Sequence, residues 1–277
     1  MVVYEPDRSI NIGFFAQWHE MAVDLVRSRE LIWRLFLRDF QAKYKQSLLG
    51  IAWVVINPIV TIGVFVYLNN AGVLRIGSTG VPYVAFALIG LTIWNLFASG
   101  IAAAAISIVG AGSLVTKINF PKVSLVLASY GQSLVEFMIR LVLVAIALIV
   151  FKVVPSWTVI FLPFAIIPIT LLTVGFGFML SLMAGVFRDV VNVVTLVTTF
   201  LMFLIPILYP APKTGIAAKL YVWNPLAQLV VGPRDLIIHG GFSNPAGFLW
   251  SSVFALAIFL IFWRFFYLAE TKIAERI

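Results

Sequence analysis

Cysteine is absent from this 277-residue chain, which excludes disulfides and thiolate metal sites while assigning no redox compartment. Charge is scarce: 11% of residues are Asp, Glu, Lys or Arg, against 62% hydrophobic. Length alone would allow one or two soluble domains, but such a balance cannot be wrapped around one core and stay soluble. The two histidines, His19 and His239, stand far apart with no acidic neighbours at ligand spacing, so no metal site is expected. GAGSLVTK (110–117) lacks the glycine directly before lysine that a phosphate-binding loop requires. Ser47, Ser99 and Ser113 each sit by a glycine but without a nucleophile-elbow pattern. No catalytic constellation remains, and an enzyme is not expected. The charged residues 1–47 contain no apolar signal core, so no cleaved secretory peptide is expected there.

What the chain has instead is long uncharged runs: 46–74, 76–116, 153–187, 190–212 and 236–263. Each exceeds the roughly 20 residues that cross a bilayer as helix. The stretch 123–151 is as long and is interrupted only by Glu136 and Arg140. The expected fold is an all-α integral membrane protein with six spans, near 48–69, 83–107, 124–151, 158–186, 190–209 and 246–267. Six spans put both termini on one side. That side holds thirteen Lys and Arg, seven of them before residue 46, against five on the other. The positive-inside rule therefore predicts cytoplasmic termini. On this reading the net charge of +8 orients loops at a lipid surface and does not point to nucleic acid.

The chain divides into a cytoplasmic segment, 1–47, and a membrane domain, 48–277. Within the first, residues 24–45 place Leu25, Ile32, Phe36, Phe40 and Tyr44 on one helical face, with Arg27, Glu30, Arg34, Arg38, Gln41 and Lys45 opposite. This pattern predicts an amphipathic helix in the headgroup plane. In the second, Asn57, Pro58, Pro163, Pro168 and Pro206 disturb helices at depth, which needs neighbouring protein or a water-filled cavity to satisfy freed carbonyls. Gly177, Ser181 and Gly185 recur every fourth residue, a face for close helix packing. Between spans five and six, KTGIAAKLYVW and NPLAQLVVGPRDLIIHGG are apolar yet too short to cross, as re-entrant or interfacial helices are.

Glu136 and Arg140, four residues apart, share one helix face and are placed to pair. The pair serves either as a structural bridge or as the lining of a polar path. Of forty aromatic residues, Trp157, Trp250, Trp263 and Tyr267 fit interface belts. Trp53, Tyr67, Phe86, Trp94, Phe97, Phe200 and Phe203 lie within spans, as packing bulk or as a channel wall on which sugar rings slide.

Four stretches in order and spacing carry a resemblance: KYKQSLLGIAWVVINP (43–58), LVTKINFPK (114–122), VFRDV (186–190) and WNPLAQLVVGPRDLI (223–237). From about Leu31 onward the chain resembles type-two ABC export permeases for polysaccharides, a group that includes Wzm-type O-antigen, KpsM-type capsule and TagG-type teichoic acid exporters. The resemblance implies a homodimer in the cytoplasmic (inner) membrane that binds two copies of a separate ABC ATPase. ATP and Mg would sit on that partner, with no cofactor on this chain. It implies an ATPase-coupling helix at Lys117, Ile118, Asn119, Phe120, Pro121 and Lys122, and a smaller contact at Phe187, Arg188 and Asp189. External gate helices are implied near 216–222 and 225–238. The substrate would be a lipid-linked polysaccharide, with Arg34, Arg38, Lys43 and Lys45 where a diphosphate headgroup approaches. A drug permease of the same architecture and an ion-coupled secondary transporter are the alternatives. Charge reversal at Arg38 and Lys43 is expected to reduce export with expression and ATPase binding intact; normal surface polymer in the double variant would discard the headgroup role.

Overall fold

The computed structural model describes residues 14–45, 47–73, 76–112, 114, 120–187, 189–212 and 214–273. Among them are ten α-helices and no strand. Helices α1 (Phe14–Arg27) and α2 (Arg29–Lys45) precede α3 (Ala52–Asn70), α4 (Tyr83–Ala111) and α5 (Val123–Val150). A 3-10 turn, Trp157–Phe161, leads into α6 (Leu162–Val186). Then come α7 (Val190–Leu204), α8 (Gly215–Trp223), α9 (Pro225–Ile238) and α10 (Pro245–Ile273). Five of these units (α3, α4, α5, the turn with α6, and α10) are long and apolar enough to cross a membrane. The chain is a multi-pass membrane protein.

The expected amphipathic helix begins ten residues earlier, at Phe14, and changes at Ser28 into a second helix. Hydrogen bonds of helical spacing still run through the junction, from Ser28 N to Asp24 O at 2.9 Å and from Ile32 N to Ser28 O at 2.8 Å. The apolar face of α2 carries an aromatic ladder, Trp33–Phe36–Phe40–Tyr44, with successive ring centroids 5.0 to 5.6 Å apart. That ladder leans on α5, where Gly131 leaves room for the Phe36 ring.

Helix α4 is the centre of the bundle, buried over most of its length and in contact with α3, α5, α6, α7 and α9. Small residues allow the close approach. A Cβ on Gly177 of α6 would lie 2.6 Å from the Ala104 Cβ of α4, and one on Gly175 would lie 2.8 Å from the Phe259 Cα of α10. Ser181 is fully buried on the same helix. The small-residue face thus seats α6 against α4, while Phe178 fills the groove toward Phe266 of α10 at 5.1 Å between ring centroids.

The span expected at 190–209 is helical only to Leu204, fifteen residues or about 22 Å. That falls short of a hydrocarbon core of about 30 Å. Pro206 is the cause: it has no N–H to donate, and it pushes Ile205 into an extended conformation (φ −94°, ψ 139°). The non-helical continuation is buried in protein, with Ile205, Ile207 and Leu208 almost inaccessible. Its freed carbonyls are met by Arg234 of α9, whose Nη1 donates to Pro206 O at 2.7 Å and to Ile207 O at 3.4 Å. The guanidinium lies over the Phe86 ring at 4.1 Å, with the Asp235 carboxylate 3.9 Å from Nε. Gly90 of α4 completes the seat, since a Cβ there would lie 2.6 Å from Ile207 O.

The two short helices expected between 210 and 245 form there. Asn224 caps α9, its side chain accepting from Leu226 N at 3.0 Å and Ala227 N at 3.2 Å, and Pro225 supplies the favoured first helical residue. Helix α9 is buried almost throughout, while α8 has no buried residue.

Two substitutions test this packing. Gly177→Leu should cost about 1–3 kcal/mol through overpacking against α4. Arg234→Met, which leaves buried carbonyls unpaired, should cost about 1–3 kcal/mol. Both should lower the unfolding midpoint of the detergent-solubilised protein, while Phe164→Leu on an exposed face should not.

Candidate functional site

Two polar junctions tie the N-terminal helices to the bundle. The first lies where α1, the start of α5 and the end of α10 meet. Glu270 of α10 is 1% exposed, and its Oε2 accepts the backbone N–H of Lys122 at 3.1 Å. A carboxylate at this position favours the positive end of α5, whose first turn has no acidic residue of its own. Around it, Trp18 meets Trp263 edge to face at 5.9 Å, Arg264 Nη2 donates to Gln17 Oε1 at 3.3 Å, and Tyr267 OH lies 3.5 Å from Asp24 Oδ2. Burial holds the Asp24 carboxyl above its ordinary value, and the nearby Glu20 charge adds to the shift.

The second junction lies between α2 and α5. Glu136 Oε1 accepts from Lys43 Nζ at 2.5 Å and from Tyr44 OH at 2.9 Å, while its Oε2 accepts from Arg140 Nη2 at 3.1 Å. The pair anticipated within one helix is therefore a four-residue cluster reaching to the last turn of α2. Burial and the neighbouring Glu136 carboxylate push the Tyr44 phenol above its usual range, so Tyr44 stays protonated and donates.

The remaining candidate residues fall in different places. Of the coupling segment, Lys117, Ile118 and Asn119 lie outside the described residues, as does Arg188. Phe120 and Lys122, expected to face a partner, are buried within the chain and anchor the segment's end. Pro121 is partly buried beside them, whereas Phe187 and Asp189 are exposed. Among the entrance cations, Arg34 pairs with Glu30 and Arg38 with Asp39, each at 2.7 Å. Lys45 is exposed and forms no ion pair among the described residues. Of the aromatics set out as a channel wall, Trp53, Tyr67, Phe200 and Phe203 are exposed on α3 and α7. Phe86, Trp94 and Phe97 are instead buried within this chain, Phe86 under Arg234 and Trp94 against Phe97 at 5.5 Å.

Residues 30–238 match the ABC-2 type transporter family, three quarters of the chain. The chain belongs to that family. Among curated relatives of this ABC-2 family chain, an O-antigen export system permease protein, RfbA, from Myxococcus xanthus is 28% identical over 187 residues, 68% of this chain and 71% of the relative. A protein of the same name from Klebsiella pneumoniae is 26% identical over 208 residues, covering 73% and 78%. The matched region contains the α2–α5 cluster and the segment leading to Lys122, but stops before Glu270.

Sequence reasoning missed Glu270, Asp24 and Arg234 as anchoring groups. Arg234 and Asp235 carried a usable signal, two adjacent charges inside an otherwise apolar run. Glu270 gave none, because its partner is a backbone N–H 148 residues earlier. For Asp24 the sign is definite. Its folded value lies above the ordinary 3.8, so the native state binds the proton more tightly and stability falls as pH rises through that window. Asp24→Asn is therefore expected to raise the thermal midpoint at pH 7, and the gain should shrink as pH approaches 4.

Proposed function

We propose that this chain is the membrane permease subunit of an ATP-driven exporter of a lipid-linked polysaccharide, O-antigen most closely. The observation that carries this reading is the likeness to two O-antigen export permeases over roughly seven tenths of each chain. In this reading two copies form the channel in the cytoplasmic membrane, and two ABC ATPase subunits contact the implied coupling residues 117–122 together with Phe187 and Asp189. ATP and Mg belong to those subunits.

Packing within the chain supports a route for such coupling. Displacing the segment before Lys122 acts on α5 directly, and on α10 through the bond from Lys122 N to Glu270. Helix α10 is packed on α6, and α6 on α4, so one push would reach four spans. In a homodimer the exposed aromatics of α3 and α7, Trp53, Tyr67, Phe200 and Phe203, would border the path between protomers. Rings offer broad, weak contacts to sugar faces, which lets a polymer slide.

Deletion of the gene should abolish surface polymer and accumulate the glycan inside the cell. Purified permease reconstituted without an ATPase should not translocate it under an imposed ion gradient, and transport in that assay would overturn the reading. Glu270→Ala should lower polymer exported per ATP hydrolysed severalfold while leaving ATPase binding intact, measured on the reconstituted complex.

A further inference from the structure

We infer that the α2–α5 junction is a binding site for the phosphoryl headgroup of a membrane lipid, held by Arg140 and Lys43. The cluster has two cations, Lys43 and Arg140, and one carboxylate, Glu136, with no other ion pair to any of them among the described residues. Glu136 and Arg140 side chains are only 6% and 7% exposed, and the one positive charge left over falls beside them, on the open Lys43 side of the cluster. Arg140 also spends one nitrogen on Glu136 and leaves Nε and Nη1 buried with no hydrogen-bond partner. Buried unpaired N–H groups are costly, and one anion with several acceptor oxygens would supply their partners while balancing the surplus charge.

A phosphate ester has that chemistry. Its oxygens accept from a guanidinium fork and a lysine ammonium together. Lys43, half exposed, is the open side of the cluster, and it lies at the end of an aromatic-faced helix just before α3 enters its apolar run. The more obvious cations suit the role less, because Arg34 and Arg38 are already neutralised by Glu30 and Asp39. Glu136 acts as a stand-in that holds Lys43 and Arg140 in place when no phosphate is bound. If the ligand is the diphosphate of a polymer carrier, the inference rests on the export reading above; an anionic phospholipid headgroup satisfies the same chemistry without it.

The test uses the permease with its ATPase in phosphatidylcholine nanodiscs. Farnesyl diphosphate is titrated in one arm and phosphatidylglycerol is incorporated in another, with bound lipid read by native mass spectrometry. Arg140→Met should weaken anion binding about tenfold or more. Glu136→Gln, which frees a second cation, should strengthen it. Dependence seen with farnesyl diphosphate assigns the carrier; dependence seen with phosphatidylglycerol alone assigns a phospholipid and upholds the phosphoryl site. If Arg140→Met does not fold, Arg140→Lys and Glu136→Gln decide, because a purely structural ion pair leaves anion affinity unchanged in both. No anion binding by the wild type, or equal binding by the variants, overturns the site. Polymer export by the wild-type complex is scored separately. Export together with Arg140-independent binding removes the site alone, and Arg140-dependent binding without export removes only the export reading.

Discussion

Backbone groups out of reach of water must find partners inside the protein, and the bundle follows from meeting that demand at its breaks as well as along its helices. Continuous helices satisfy themselves. The end of α7 does not, because Pro206 interrupts it, and a buried arginine supplies the missing donors. That arginine needs an acidic neighbour, an aromatic face and a glycine opposite, which Asp235, Phe86 and Gly90 provide. The short helix α9 is thereby tied to the central helix α4.

At α5 two carboxylates, one at the start of the helix and one near its middle, meet donors from other parts of the chain. Glu270 takes the N–H of Lys122, and Glu136 takes Lys43, Tyr44 and Arg140. Each joins an element outside the spans to a helix inside them. The two junctions differ in their charge. Asp24 beside the first is an acid that burial discourages from ionising, whereas the second holds more positive charge than its carboxylate cancels.

Much of this architecture was legible along the chain. Long apolar runs located the five span-length helices to within a few residues, since only apolar stretches of that length survive in lipid. The punctuation around Asn224 and Pro225 marked the start of α9. The Gly177–Ser181–Gly185 repeat marked the close packing of α6. Legibility failed where partners are far apart in sequence. Phe86, Trp94 and Phe97 have the same composition and spacing as exposed aromatics on other helices, and only the position of α4 at the centre buries them. The stretch 190–209 is apolar throughout, so the end of its helix at Leu204 required knowing what Pro206 does to the preceding residue and what then accepts the exposed backbone.

By itself the amino-acid sequence determined that this is a helical membrane protein, where its apolar segments lie and which loops are basic. Those properties follow from transfer energies that act on each residue or run separately. Tertiary structure alone decided which charges are spent and which are left over. Arg34 and Arg38 are neutralised locally, whereas Glu136 draws Lys43 from 93 residues away and leaves Arg140 with unmet donors. The reason is that electrostatic and hydrogen-bond energies depend on distances of a few ångströms, and those exist only after the helices have packed.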